Sequence, residues 1–383
     1  MVSDYSRLLL PPKASFFLLG LRGSGKSTWS RAHFHDAPRV ELLDEALYHE
    51  LLLHPAAFRE IVANAKSGGW VVVDEVQRLP SLLNEVHKSI EERKIKFVLL
   101  GSSARKLRKS GVNLLGGRAL QRFMHPLLPW ELGSDFDLEK IMSIGSIPLI
   151  WTSADPIEQL KSYVQLYLKE EIQAEAIVRN LPGFARFLPV AALFHGQVLN
   201  VDSLARDAGV ARTTVQGYLG ILEDTLLAFR LPAFEGRLRV KEKRHPKLYW
   251  VDPGIVRAAK RQFGQVAAEE RGSLFEGLLI QMIRAMRDLQ RIEYDDMYYW
   301  SAGKGSYEVD LVLTRGKEKL AIEIKSVARL QDEMFGGLNA ISELKDVSRQ
   351  IFVYCGERSF QHTNGIEVMN LNKFLLELNA GSI

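Results

Sequence analysis

Gly20-Leu21-Arg22-Gly23-Ser24-Gly25-Lys26-Ser27 decides how the N-terminal part of this chain folds. It follows Ser15-Phe16-Phe17-Leu18-Leu19, a short apolar run of the kind that forms a buried strand. It runs into Ser27-Thr28-Trp29-Ser30-Arg31-Ala32, which opens a helix. Strand, glycine-rich loop and helix in that order make a complete phosphate-binding loop. The glycines let backbone N–H groups curl around phosphates, Lys26 neutralises the β and γ oxygens, and the Ser27 hydroxyl binds Mg²⁺. The helix N-terminus adds the positive end of its dipole. Gly20, Arg22, Gly23, Ser24, Gly25, Lys26, Ser27 and Thr28 are therefore the expected nucleotide-binding set, with ATP and Mg²⁺ as cofactors.

The second half of such a site is expected at Trp70-Val71-Val72-Val73-Asp74-Glu75, an apolar strand that ends in two carboxylates. Asp74 holds Mg²⁺ through water and Glu75 polarises the attacking water. A further strand, Lys96-Phe97-Val98-Leu99-Leu100, ends at Gly101-Ser102-Ser103. Ser102 or Ser103 senses the γ-phosphate, and the residues alone do not choose between them. Arg118, in Gly116-Gly117-Arg118, is a catalytic candidate that stabilises charge in cis or from a neighbouring copy. A solvated surface arginine is the other reading of it.

At this point a family shows. The stretch from Gly20 through Val73-Asp74-Glu75-Val76-Gln77-Arg78-Leu79-Pro80, Leu100-Gly101-Ser102-Ser103-Ala104, Gly117-Arg118 and Leu128-Pro129-Trp130-Glu131-Leu132 resembles a large bacterial and archaeal group of AAA-like ATPases. These carry a C-terminal region labelled DUF4143. The resemblance implies a P-loop core with an additional strand, the sensor strand lying between the two Walker strands.

The middle segment reads as helical. Ile157 to Asn180 is expected as one helix, ended by Pro182-Gly183. Leu204 to Val215 reads as helix-turn-helix, with Gly209 at the turn and small Ala205 and Ala208 allowing close packing. Arg212, Thr213, Thr214 and Gln216 would sit on the exposed start of the second helix, where DNA is met. A purely structural helical module remains the alternative. Arg237, Arg239, Lys241, Lys243, Arg244 and Lys247 follow, and the alternation in 237–241 suggests a hairpin with a basic face, like the wing of a winged helix. That face would neutralise phosphates; a lysine-protected strand edge is the bland reading. Lys247-Leu248-Tyr249-Trp250-Val251-Asp252-Pro253-Gly254 matches a string that recurs in the family.

In the C-terminal segment, Gly272 to Arg287 reads as a helix carrying Glu276. Ser306 to Leu313 and Leu320 to Ile324 form a hairpin around Arg315-Gly316-Lys317. Period-two spacing puts Glu323 and Lys325 on one face. Glu276, Asp310 and Glu323 would hold Mg²⁺ or Mn²⁺ through oxygens, with Lys325 orienting or activating water beside them as Glu323's catalytic partner. The order helix Glu, strand Asp, Glu-x-Lys resembles the PD-(D/E)xK nuclease superfamily. A polar strand face with a salt bridge is the alternative.

The bulk numbers bound these readings. The chain has 383 residues, 46% apolar and 25% charged, with a net charge of +4, so a nucleic-acid surface must be a local patch. One cysteine, Cys355, excludes an internal disulfide and a cysteine-rich zinc site. No apolar run reaches the length of a bilayer span and the start lacks a signal-peptide core, so a cytoplasmic protein without a membrane partner is expected. The expected architecture is α/β: a P-loop AAA-like ATPase core over 1–148, a helical and winged-helix domain over 149–264, and a PD-(D/E)xK-like α/β domain over 265–383. The expected function is an ATP-hydrolysing, DNA-binding protein that processes or remodels DNA, with branched DNA such as four-way junctions carried over from archaeal ATPases with a winged helix, a metal-dependent nuclease domain, and a homo-oligomeric state. Two rivals stay open: a nucleotide-dependent regulatory switch with an inactive nuclease fold, and an ATP-gated defence nuclease.

Overall fold

The computed structural model describes residues 5–102, 115–167, 181–235, 245–302 and 307–383. Two compact units account for the chain: Met1–Leu127 with Ile147–Ala154 and Ile221–Leu227, and Leu128–Ser146 with Asp155–Gly220 and Ala228–Ile383.

In the first unit β1 (Phe16–Gly20), β2 (Arg39–Glu41), β3 (Trp70–Asp74), β4 (Lys96–Gly101) and β5 (Leu120–Met124) form one parallel sheet in the order β2-β3-β4-β1-β5. The sensor strand β4 lies between β1 and β3, as the resemblance implies. Continuous apolar strands suit a parallel sheet covered on both faces. Phe17, Leu19, Val71, Val73, Phe97 and Leu99 fill one side against Phe58, Leu82, Leu83 and Val86. On the other, Phe16 meets Trp29, Phe34 and Trp70 edge-on or tilted. Every carboxyl end of β1, β3 and β4 thus leads into a loop on the same edge of the sheet, where ligands of α/β proteins bind.

In the second unit the helix-turn-helix is present. Helices Val201–Ala208 and Arg212–Asp224 flank Gly209, whose φ of 62° is a left-handed turn that glycine adopts without penalty. Asn200 caps the first helix, accepting from Asp202 N and Ser203 N. Leu204, Val215 and Tyr218 are buried, and the Tyr218 ring packs on Phe184 and Phe187. A small antiparallel sheet, β6 (Gln197–Val198), β7 (Ala228–Leu231) and β8 (Lys247–Trp250), has the order β6-β8-β7. The helix expected from Ile157 starts at Pro156 behind an Asp155 cap and runs to Ser162. It then becomes a π-helical turn over Tyr163–Tyr167. Apolar spacing persists through such a turn, which is why the sequence reads as one helix; its expected continuation over 168–180 lies outside the described residues.

The same unit holds a six-stranded sheet, ordered β13-β14-β12-β11-β10-β9: β9 (Asp296–Ser301), β10 (Glu308–Arg315), β11 (Glu318–Lys325), β12 (Val347–Tyr354), β13 (Phe360–Gln361) and β14 (Glu367–Asn370). The expected β10–β11 hairpin is antiparallel, whereas β11–β12 and β12–β14 are parallel. Helix Ala268–Asp288 carries Glu276, and a short helix Gly336–Ile341 precedes β12.

Arg257 ties this unit together and had no signal in the sequence. It lies in helix Pro253–Ala259 with 1% of its surface exposed. Its guanidinium donates to Glu270 at 3.0 Å, to the Ser143 carbonyl at 3.0 Å, and to the carbonyls of Gly264 and Gln265 at 2.8 and 3.0 Å. Glu270 begins the helix that carries Glu276, so Arg257 helps set where that carboxylate stands. Arg257→Ala takes one of two cations from buried Glu270, which keeps Lys260 at 3.0 Å, and strands three carbonyls. It should cost about 3–5 kcal/mol in chemical denaturation. Arg257→Lys should recover little, because one ammonium cannot span the same four acceptors. A midpoint shift for Arg257→Ala equal to that of a surface arginine would refute the assignment.

Candidate functional site

The nucleotide-binding set converges at the carboxyl edge of the parallel sheet. Gly25 is left-handed at the head of helix Lys26–His33. The Lys26 ammonium, buried in the loop, donates to the Gly20 carbonyl at 2.7 Å and the Leu21 carbonyl at 2.9 Å. Ser27 Oγ donates to Asp74 Oδ2 at 2.7 Å, so the two expected Mg²⁺-side groups are already neighbours. Glu75 leaves β3 with a φ of 56°, a left-handed conformation for a residue with a side chain, and its N–H donates to Asp74 Oδ1 at 3.0 Å. Such backbone costs roughly 1–3 kcal/mol and persists where the surroundings enforce it. The Gln77 amide provides part of that enforcement. Gln77 Nε2 donates to Glu75 Oε2 and, at 3.0 Å, to Ser102 Oγ. Ser102 is 1% exposed at the end of β4. One side chain thus joins the expected water-polarising carboxylate to an expected sensor; the other sensor candidate, Ser103, lies outside the described residues.

A cavity of about 570 Å³ opens over the loop, within the usual range for small-molecule sites. Arg22, Gly23, Gly25, Lys26, Ser27, Thr28 and Glu75 line it. So do residues that the sequence did not single out. Arg7 reaches under the loop, donating to the Ser24 carbonyl at 2.7 Å and the His125 carbonyl at 2.5 Å. Tyr5 accepts from Trp151 Nε1 at 3.1 Å, and Leu149 N donates to the Gly23 carbonyl at 3.1 Å. Residues 147–154 therefore complete the cavity wall from more than 120 positions downstream, a contact that local spacing cannot encode. Arg118 is not in this wall. It is partly exposed and ion-paired with Glu91, so the in-cis reading of it is not what the geometry presents.

The second constellation gathers in the C-terminal sheet. The β10–β11 register pairs Leu311 with Ile322, which puts Asp310 across from Glu323 on one face. Lys325 Nζ contacts Glu323 and lies 3.2 Å from Asp310 Oδ2, and Ile324 N donates to that same oxygen at 2.9 Å. Glu276 joins from its helix. All four expected residues are therefore brought together, but not as an open cation pocket. Lys247 stands among them, its ammonium 3.3 Å from Glu276, 2.5 Å from Glu308 and 3.9 Å from Asp310. Tyr249 donates to Glu276. Burial pushes the Glu276 and Glu323 carboxyls up, and the charge of Asp310 adds to it. Burial alone would lower Lys247 and Lys325, but the carboxylates around them outweigh it and hold both ammoniums above their ordinary range. Among the described residues no three His, Cys, Asp or Glu side chains are arranged to hold a metal ion. The metal expectation at Glu276, Asp310 and Glu323 is corrected to this extent: as arranged, the donor set meets two lysine ammoniums and does not fit a divalent ion.

Lys247 also corrects the basic surface. It was grouped with Arg237, Arg239, Lys241, Lys243 and Arg244 by adjacency, yet it is 3% exposed and faces inward. The other five lie outside the described residues, as does the 237–241 hairpin. Of the helix-turn-helix set, Arg212, Thr213 and Gln216 are exposed at the start of helix Arg212–Asp224, and Arg212 pairs with Asp202 at 3.1 Å. Thr214 is half-buried.

Three family models match along the chain: an AAA domain over residues 13–132, a domain of unknown function (DUF8612) over 135–265, and a domain of unknown function (DUF4143) over 271–374. The chain carries an AAA domain and a C-terminal DUF4143 region. Two curated relatives, the uncharacterized proteins Mb2031c of Mycobacterium bovis and Rv2008c of Mycobacterium tuberculosis, are each 24% identical over 370 residues, covering 94% of this chain and 80% of the relative. Among solved structures, the Aeropyrum pernix ORC1 protein in complex with DNA matches at a TM-score of 0.26 and 12% identity, over 66% of this chain and 87% of that one. Protein VC1899 from Vibrio cholerae matches at 0.21 and 12%, over 96% of each chain. Scores this low carry no argument about what this AAA-like chain binds.

The recurring string of the DUF4143-type chain gains a physical meaning from the geometry. Along β8, Lys247 and Tyr249 both contact Glu276. Asp252 caps helix Pro253–Ala259 through Ile255 N at 3.1 Å and accepts from Ser146 N at 2.8 Å, and burial pushes its carboxyl up to about 6. Gly254 is fixed by approach: a Cβ there would lie 2.1 Å from the Ile144 carbonyl oxygen. No described helix is long and apolar enough to cross a membrane.

Proposed function

We propose that this AAA-like chain hydrolyses ATP and uses its nucleotide state to control a hold on DNA, with the C-terminal nuclease-like fold not cutting in the arrangement seen. What supports hydrolysis is the line of contacts Ser27–Asp74–Glu75–Gln77–Ser102. Ser27 and Asp74 would hold Mg²⁺, which screens phosphate charge when bound. Lys26 would neutralise the β and γ oxygens, Glu75 would polarise the attacking water, and Gln77 would tie Glu75 to the sensor Ser102. Arg118, exposed and outside the cavity, would act on a neighbouring copy in a homo-oligomer. The single observation that carries the choice of a switch over a nuclease is Lys247, whose ammonium stands beside Glu276 and Asp310, two of the carboxylates that cutting would need.

DNA is the proposed partner on the strength of the helix-turn-helix start and the basic stretch before β8. Affinity for DNA should fall steeply with salt, because each neutralised phosphate releases counterions. Neutralising Arg239, Lys241 and Lys243 together should reduce the log–log salt slope by about 3, at roughly 0.9 per lost contact. An unchanged slope would remove the basic stretch from the DNA surface.

The function is tested by measuring ATP hydrolysis and Mg²⁺- or Mn²⁺-dependent cleavage side by side on linear, single-stranded and four-way DNA. The reading expects ATP turnover, an ATP-dependent change in DNA affinity, strongest for branched DNA, and no cutting. Cutting that requires ATP would replace it with an ATP-gated nuclease.

A further inference from the structure

A phosphate-binding loop works only while its peptides point the right way. Gly23 and Gly25 hold φ of 74° and 91°, on either side of Ser24. A glycine that follows a peptide lets the peptide plane turn over at little cost. The Ser24–Gly25 peptide therefore has two orientations open to it. In one, the Gly25 N–H meets a phosphate oxygen; in the other, the Ser24 carbonyl faces the same oxygen and repels it.

Arg7 holds one of these orientations. Its Nη1 donates to the Ser24 carbonyl at 2.7 Å. C=O and N–H point opposite ways across a trans peptide, so the Gly25 N–H is turned away from the guanidinium. The other arm of the fork is braced on the sheet. Nη2 donates to the His125 carbonyl at 2.5 Å, and His125 directly follows β5, which is paired with β1 through Gly20 and Met124. One planar group thus fixes the loop to the strand beside the one that launches it. Leu149 N holds the preceding carbonyl, that of Gly23, at 3.1 Å. Arg7 also lines the cavity, so its charge and its fork are two separate ways to act on a phosphate chain. Lysine would supply the charge without the rigid fork.

We propose that Arg7 is a positioning residue for the triphosphate, whose fork locks the Ser24–Gly25 peptide with its N–H turned to the phosphate chain. The inference rests on the reading of this loop as the ATP site, and it adds what keeps the loop ready before nucleotide arrives.

The test is equilibrium binding of Mg²⁺-ATP and of Mg²⁺-tripolyphosphate to the full-length chain, by isothermal titration calorimetry. Tripolyphosphate offers the phosphate chain without base or sugar. Arg7→Met should weaken both ligands by the same factor, about 10- to 100-fold, the worth of one hydrogen bond to a charged group. KM should rise while kcat at saturating ATP falls less than about fivefold, because a donor used alike in ground and transition states sets binding and not the chemical step. Arg7→Lys should remain at least about fivefold weaker than wild type for both ligands, since the charge returns without the fork. A residue that only holds the fold would move the denaturation midpoint and leave both affinities of the folded chain unchanged, and that result overturns the proposal. So does a loss confined to ATP, which would place Arg7 against base or sugar. So does full recovery in Arg7→Lys, which would make Arg7 a charge and nothing more. Should Arg7→Met fail to fold, Arg7→Lys and Arg7→Gln carry the same test, and both should weaken tripolyphosphate. Both affinities are read at equilibrium, so a chain that binds ATP without hydrolysing it fails the hydrolysis reading alone.

Discussion

Lys26→Ala should lower ATP turnover by about 10³-fold, the size of effect seen when one preorganised charge donor is removed from a transition state. Lys26 is the cation built into the loop, held by the Gly20 and Leu21 carbonyls at 2.7 and 2.9 Å at the head of a helix. The loop N–H groups and the helix dipole survive the substitution, so ATP affinity should weaken less than turnover. The fold should survive as well, because the ammonium's partners are loop carbonyls that water can reach once the side chain is gone. Lys26→Arg should not rescue, since the broader guanidinium does not fit the same two carbonyls and phosphate oxygens. The assay is phosphate release at saturating ATP beside equilibrium binding of a fluorescent nucleotide. Turnover within about tenfold of wild type would remove Lys26 from the role of phosphate cation.

How far the sequence could be read depended on whether its signals were local. The loop Gly20–Ser27, the carboxylates ending β3 and the hairpin around Arg315-Gly316-Lys317 are short-range patterns, and each stands where its spacing put it. The sheet order β3-β4-β1 came from family resemblance, not from any residue pattern, because strand order is a tertiary property. Glu276, Asp310, Glu323 and Lys325 do converge, since period-two alternation and one helix suffice to align them. Lys247 was misassigned for the opposite reason. Its sequence neighbours are basic, so adjacency grouped it with them, while β8 alternation carries it to the face of Tyr249. A lysine inside a strand of large apolar residues was the available clue: such a lysine is either at an edge or paired inside. Gln77 and Arg257 gave no clue at all, because their value lies in partners 25 and 114 positions away. The same holds for Leu149, which reaches the loop at Gly23.

Glu75→Gln should keep ATP binding and lose turnover by about 10²–10⁴-fold, the contribution of a positioned general base. The substitution is isosteric and removes only the charge that polarises water. Its surroundings argue that little else will move. The left-handed φ of 56° is a backbone property that the new side chain inherits, and the N–H contact to Asp74 Oδ1 at 3.0 Å does not involve the carboxylate. The contact with Gln77 Nε2 can survive, because the carbonyl oxygen of a glutamine at 75 can accept that hydrogen bond as the carboxylate did. Ser27 and Asp74, on the Mg²⁺ side, are untouched. The expected kinetic pattern is therefore a fall in kcat with KM nearly constant or lower, the mark of an interaction made in the transition state alone. Lys26→Ala should instead raise KM as well as lower kcat, so the two variants separate phosphate binding from water activation in one assay. Under the switch reading, Glu75→Gln also holds the protein in its ATP-bound form, and its DNA affinity with ATP should match that of wild type with a non-hydrolysable analogue. Normal turnover in Glu75→Gln would take Glu75 out of the chemistry and leave its strained backbone to be explained by packing.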